Sequence, residues 1–172
     1  MNRKPTGFSL VEVLVALAIV SILSSVASPS LKSLFLHTRS KSNIGSIQQV
    51  IQLARNHAVS YGTRVTVCPI EANQCVNDWQ NGFTVFTDGG QSNSLEGNDT
   101  VLFVMGPFNE EDISYYNRKS IRFQPDGLAS GTNGTFRYCP GSFNSPYSKA
   151  VIVNQSGRIR FSKDKSIECK QT

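Results

Sequence analysis

The sequence predicts an α+β protein, one long N-terminal α-helix packed on antiparallel β-sheets. Three observations predict it. Residues 8–27 form an apolar run broken by a single ionisable side chain, Glu12. Apolar residues then recur at helical spacing to about residue 60. Beyond Tyr61-Gly62 the pattern changes to short alternating runs separated by Gly, Asn, Asp and Pro, as in an antiparallel sheet system. Of the 172 residues, roughly 140 remain beyond the first helix, enough for one compact domain.

Residues 1–7 carry Arg3 and Lys4 and end in Pro5-Thr6-Gly7. The run that follows reaches the roughly 20 residues that span a bilayer as a helix, and the leader cations favour a cytoplasmic N-terminus. A secretory signal peptide would have a shorter apolar core and a small-residue cleavage site after it. Here the charged leader stops directly before the apolar run, so a cut after Gly7 removes the leader and keeps the helix. Glu12 is costly in a membrane helix unless paired, and such residues are functional suspects by default. Its nearest candidate partner is the new amine on Phe8, or that amine on a neighbouring copy.

Pro29 lacks an amide donor and is expected to kink the helix rather than end it. Leu31, Leu34 and Phe35 continue the spacing, and Ile44, Ile47, Val50, Ile51, Ala54 and Ala58 resume it as a stripe to lie on a sheet. Gly45 is a weak point, and Gly62 suits a left-handed C-terminal cap. His37 and His57 lie too far apart to share a local metal site. Strands are expected at 63–68, 83–87, 100–105 (a buried strand), 120–124, 134–139, 150–154 and 158–162. Residues 88–99 read as a loop. Residues 107–119 read as irregular, with a solvated acidic triplet, Glu110-Glu111-Asp112. The organisation is therefore 1–7 leader, 8–28 transmembrane helix, 29–62 amphipathic continuation and 63–172 β-rich.

Cys68, Cys75, Cys139 and Cys169 all follow the membrane run. An even count in an exported domain reads as two disulfides. Three pairings are possible, and Cys68–Cys75 with Cys139–Cys169 is favoured, because it closes one short loop and ties the tail to the body. Zinc is the competing reading, but close Cys pairs with His partners are missing from the sequence. No cofactor is implied, and no Ser, His and Asp arrangement supports an enzyme. Asp88, Asp99 and Asp126 fall in turns, where aspartate has a backbone role.

The formal charge is +5. Without Arg3 and Lys4 it is +3, of which residues 149–172 hold +4 and the remainder −1. A basic end on a near-neutral body points to an anionic partner. Within it, Gly157-Arg158-Ile159-Arg160-Phe161 reads as a turn entering a strand. Alternation sets Arg158 and Arg160 on one face, about 6–7 Å apart, and Ile159 and Phe161 toward the core. Forked guanidiniums suit phosphate oxygens, and Lys163, Lys165 and Lys170 could extend the contact along a nucleic-acid backbone, with salt-sensitive, largely sequence-independent binding.

Gly7-Phe8-Ser9-Leu10-Val11-Glu12 resembles the leader junction of type IV pilin-like proteins. The resemblance implies cleavage after Gly7 by a prepilin peptidase, N-methylation of Phe8, and pairing of Glu12 with the N-terminal amine of an adjacent subunit. The order of Val65-Thr66-Val67-Cys68-Pro69, Cys75, Trp79, Gly82-Phe83-Thr84-Val85-Phe86, Asp88, Phe123, Asp126-Gly127 and Gly157-Arg158 resembles the GspH/FimT/FimU branch and covers nearly the whole chain. It implies the type IV pilin fold. Gly157-Arg158-Ile159-Arg160 is similar to the Gly-Arg-x-Arg motif of FimT-like minor pilins that bind DNA in natural transformation. The expected function is a minor pilin at or near a pilus tip, partnered by major and minor pilins and by double-stranded DNA. It would be held in the inner membrane with a periplasmic domain before assembly into the fibre. The alternatives are a purely structural, assembly-initiating minor pilin and a GspH-like pseudopilin of type II secretion.

Overall fold

The computed structural model describes residues 7, 9–129 and 131–169, without the side chains of residues 26–30. The expectations for the leader residues 1–6, for Phe8 and for Lys170 lie outside the described residues, as does the side chain of Pro29. The chain divides into two compact units between Leu36 and His37.

In the first unit, α1 (Leu10–Tyr61, 52 residues) begins. Ser9 caps it: its hydroxyl accepts the Glu12 amide at 3.3 Å and its carbonyl accepts the Val13 amide, a side-chain cap that satisfies a donor with no partner in the helix. Leu10, Val11, Val13, Leu14, Leu17, Val20, Ile22 and Leu23 are all exposed. Among the described residues no helix is long and apolar enough to cross a membrane. The fully described apolar stretch stops at Ser25, where the side chains of residues 26–30 fall outside that set.

The second unit starts within α1 and continues as sheets. Ile44, Ile47, Ile51, Ala54 and Ala58 are fully buried and Val50 nearly so, the stripe that the helical period predicts. Gly62, at φ 61°, ends the helix in the left-handed region, and the Thr63 amide closes back on the Ala58 carbonyl, as expected of a glycine cap.

One four-stranded antiparallel sheet has β1 (Val65–Cys68) and β4 (Phe83–Thr87) at its centre and β5 (Val101–Met105) and β7 (Ile121–Phe123) at its edges. The other runs β10 (Ile159–Phe161), β9 (Lys149–Val153), β8 (Gly134–Cys139), β6 (Ile113–Tyr116). A small hairpin, β2 (Ile70–Glu71) with β3 (Gln74–Cys75), completes the strands. The α1 stripe shares one core with Val65, Val67, Val85, Phe123, Phe136 and Val151. Trp79 sits among Phe83, Tyr116 and Phe136 with ring centroids 5.3–5.7 Å apart, and its indole donates to the Arg118 carbonyl. Cys68 is bonded to Cys75 and Cys139 to Cys169.

Three expectations are corrected. The apolar strand at 101–105 is not buried: it is an edge strand, with Val104 62 % exposed. Residues 107–119 are not wholly irregular, because β6 lies within them. Asp112 is not solvated but buried. It pairs with Arg39 of α1, accepts the Tyr138 hydroxyl, and receives the Gly141 amide at 3.0 Å. Asn43 of α1 donates to the same Tyr138 hydroxyl at 2.6 Å. Burial, reinforced by the Asp112 hydrogen bond, pushes the Tyr138 hydroxyl far above its usual range. A chain of charge-assisted bonds thus ties α1 to β8 and to the turn after it.

Candidate functional site

The C-terminal basic strand is positioned by two turns packed against α1. The Asn154-Gln155-Ser156-Gly157 turn closes with the Gly157 amide on the Asn154 carbonyl at 2.9 Å, and the Asn154 amide on the Arg158 carbonyl. Gly157 is buried, at φ 75°. A Cβ there would lie 1.8 Å from the Gly127 carbonyl oxygen and 2.7 Å from Arg55 Nε. Arg55 Nε donates to that same carbonyl at 3.2 Å, and the Ala129 amide donates to the Gln155 carbonyl. The glycine is therefore required by close approach of the 125–127 turn, independently of any ligand.

β10 pairs only with β9, Arg160 opposite Ile152 and Phe161 opposite Val151. Ile159 packs on the core as expected. Phe161 does not: it is 47 % exposed. It stands at the sheet margin, where alternation points it toward the core side but the cover is incomplete. Arg158 is exposed and Arg160 half-buried. Among the described residues neither meets a carboxylate, and the Arg160 guanidinium makes a long bond from Nη1 to the Phe161 carbonyl. Lys163 and Lys165 are exposed beyond the strand. Sequence reasoning missed Arg55, which borders a groove with Gln52, Asn56, Gly157, Arg158 and Ile159. The only signal was its place beside the buried stripe of α1.

Other charged groups are engaged structurally. The buried Asp88 accepts the Thr66 hydroxyl at 2.6 Å and the Asn93 amide at 3.3 Å, with Arg122 at 3.6 Å. Asp99 accepts the Gly89 and Glu96 amides, and Asp126 the Leu128 amide. These are loop-fixing roles. Among the described residues no group of His, Cys, Asp and Glu is placed to hold a metal ion.

Residues 43–157 match the family model described as type II transport protein GspH, and residues 2–28 match the prokaryotic N-terminal methylation motif. No curated protein sequence matches the chain. Two crystal structures of the type IV minor pilin FimU from Pseudomonas aeruginosa (strain PAO1) share the fold. One has a TM-score of 0.57 at 17% identity, covering 73% of this chain and 89% of that one. The second has a TM-score of 0.55 at 18% identity, covering 71% and 91%. The family is one of structural pilin subunits, which associate with other pilins and are processed by prepilin peptidase. With the GspH match spanning more than half of the sequence, a methylation motif before it and a FimU-like fold beneath it, the chain belongs to the GspH family of type IV pilin-like proteins.

Proposed function

We propose that this is a minor pilin of a type IV pilus that presents its C-terminal basic strand to double-stranded DNA for uptake in natural transformation. The observation that carries the reading is a pair of arginines, Arg158 and Arg160, free of carboxylate partners among the described residues and placed at the sheet edge by a turn whose Gly157 is buried. Lys163 and Lys165, exposed beyond the strand, extend the basic surface, and in this reading Lys170 adds its charge to theirs. Duplex DNA should bind the full chain, purified in non-ionic detergent, with affinity falling as salt rises. Arg158→Gln with Arg160→Gln should weaken binding at least tenfold and lower the salt slope by about 2, one per lost phosphate contact. Equal affinity for parent and double variant would sink this reading.

In this proposal the leader, residues 1–7, is removed after Gly7 and Phe8 is methylated. Residues 8–28 anchor the subunit in the inner membrane, 29–62 continue the helix, and 63–172 form the β-rich part of the periplasmic domain until the fibre assembles at or near its tip. Glu12 pairs with the N-terminal amine of a neighbour. Glu12→Ala then leaves membrane insertion intact, since it makes the helix more apolar, and depletes the protein from sheared fibres. Immunoblots of membrane and fibre fractions decide it, and normal incorporation refutes the pairing.

The description of the matched family model favours a second reading, a pseudopilin of type II secretion. Gene deletion separates the two: loss of DNA uptake with normal fibres and normal secretion supports the first, and loss of secretion supports the second.

A further inference from the structure

The basic side chains of the domain are not confined to the strand face. Between α1 and the β9–β10 edge lie two grooves. One, about 390 Å³, is bordered by Gln52, Arg55 and Asn56 of α1 and by Gly157, Arg158 and Ile159. The second, about 530 Å³, has His37, Lys41, Ile44 and Gly45 of α1 on one side and Lys149, Ala150 and Phe161 among the residues on the other. Each groove sets a cation of the helix across from another, Arg55 from Arg158 just before β10 and Lys41 from Lys149 of β9. None of the four meets a carboxylate among the described residues. Asp164, the acidic group bordering the second groove, accepts the Ser162 hydroxyl at 3.0 Å.

We propose that the seam between α1 and β10 is itself the track for one DNA strand, with Lys41 and Arg55 of the helix contacting phosphates alongside Lys149 and Arg158. This rests on the DNA-binding reading and changes its geometry. Lys41 and Arg55 are fourteen positions apart, about four helical turns, so they return to nearly the same face roughly 21 Å apart along the axis. Successive phosphates of one strand rise about 3.4 Å along the duplex axis and lie roughly 7 Å apart along the strand itself, so the seam spans about three of them. The chemistry of its middle also fits a backbone. Gly45 narrows the helix there, and the exposed Phe161 ring offers an apolar surface to the deoxyriboses between phosphates. The uncharged Gln52 lies at the Arg55 end. A cation track of this kind binds without reading sequence.

The test uses the full chain in non-ionic detergent and a fluorescent duplex titrated across salt. Lys41→Gln with Lys149→Gln should weaken binding about tenfold and lower the salt slope by about 2. Gln52→Lys, which adds a cation beside Arg55 on an exposed site, should tighten binding and raise the slope by about 1. That gain cannot come from misfolding. If the Arg158/Arg160 double variant loses affinity while Lys41/Lys149 and Gln52 variants match the parent, the seam is wrong and the strand reading stands. A parent that binds no duplex overturns both.

Discussion

Asp112→Ala is expected to cost about 3–5 kcal/mol of folding stability, the range for removing one partner of a buried ion pair. The carboxylate is buried and meets Arg39, Tyr138 and the Gly141 amide at once. Its loss takes the paired carboxylate from a mostly covered guanidinium and the acceptor from the Tyr138 hydroxyl, which keeps the Asn43 bond. The effect should be visible as a lower denaturation midpoint of the full chain in detergent. Removing both charges, as Arg39→Met with Asp112→Leu, should cost much less than the two single losses together, because no charge is left buried without its partner. A shift below about 1 kcal/mol in Asp112→Ala, the scale of an exposed pair, would mean that the network is solvated.

Gly157→Ala is the second large effect. The residue sits at φ 75°, and the added methyl would lie 1.8 Å from the Gly127 carbonyl oxygen. A non-glycine in that backbone region costs roughly 1–3 kcal/mol and overpacking a further 1–3, so about 3 kcal/mol is expected. The two turns must separate, and faster hydrogen exchange at the Ala129 amide, which is bonded to Gln155, reports it. Under the proposed function DNA affinity falls with the stability. Arg158→Gln, at an exposed residue, should lower affinity and leave the midpoint where it is. An unchanged midpoint in Gly157→Ala would show that the turns do not touch.

Sequence and structure agree where periodicity carries the information. The buried stripe of α1 from Ile44 to Ala58 is legible because 3.6-residue spacing and burial are the same fact. Edge position is not written in composition: the apolar run at 101–105 reads as a core strand, and only its single partner, β4, shows otherwise. Asp112 was hidden because its environment comes from residues 73 positions earlier and 26 positions later, Arg39 and Tyr138. The basic strand was legible as two arginines on a short alternating run. Its relation to Lys41 and Arg55 was not, since helix and sheet cations border common grooves only after the last strand is laid along the first helix. Phe161 shows the limit of alternation, which gives the direction of a side chain but not whether anything covers it.

The Cys139–Cys169 bond closes a loop of 30 residues, worth about 3–4 kcal/mol in chain entropy. That loop contains β9, the Gly157 turn and β10, a strand of three residues held by one neighbour. A pull on so short an edge strand would ordinarily peel it away, one pair of hydrogen bonds at a time. Here the end of the peel is a covalent ring, so slack is limited and load passes from β10 through the tail into β8, in the interior of its sheet. The domain is reinforced at the element that would be the first to tear.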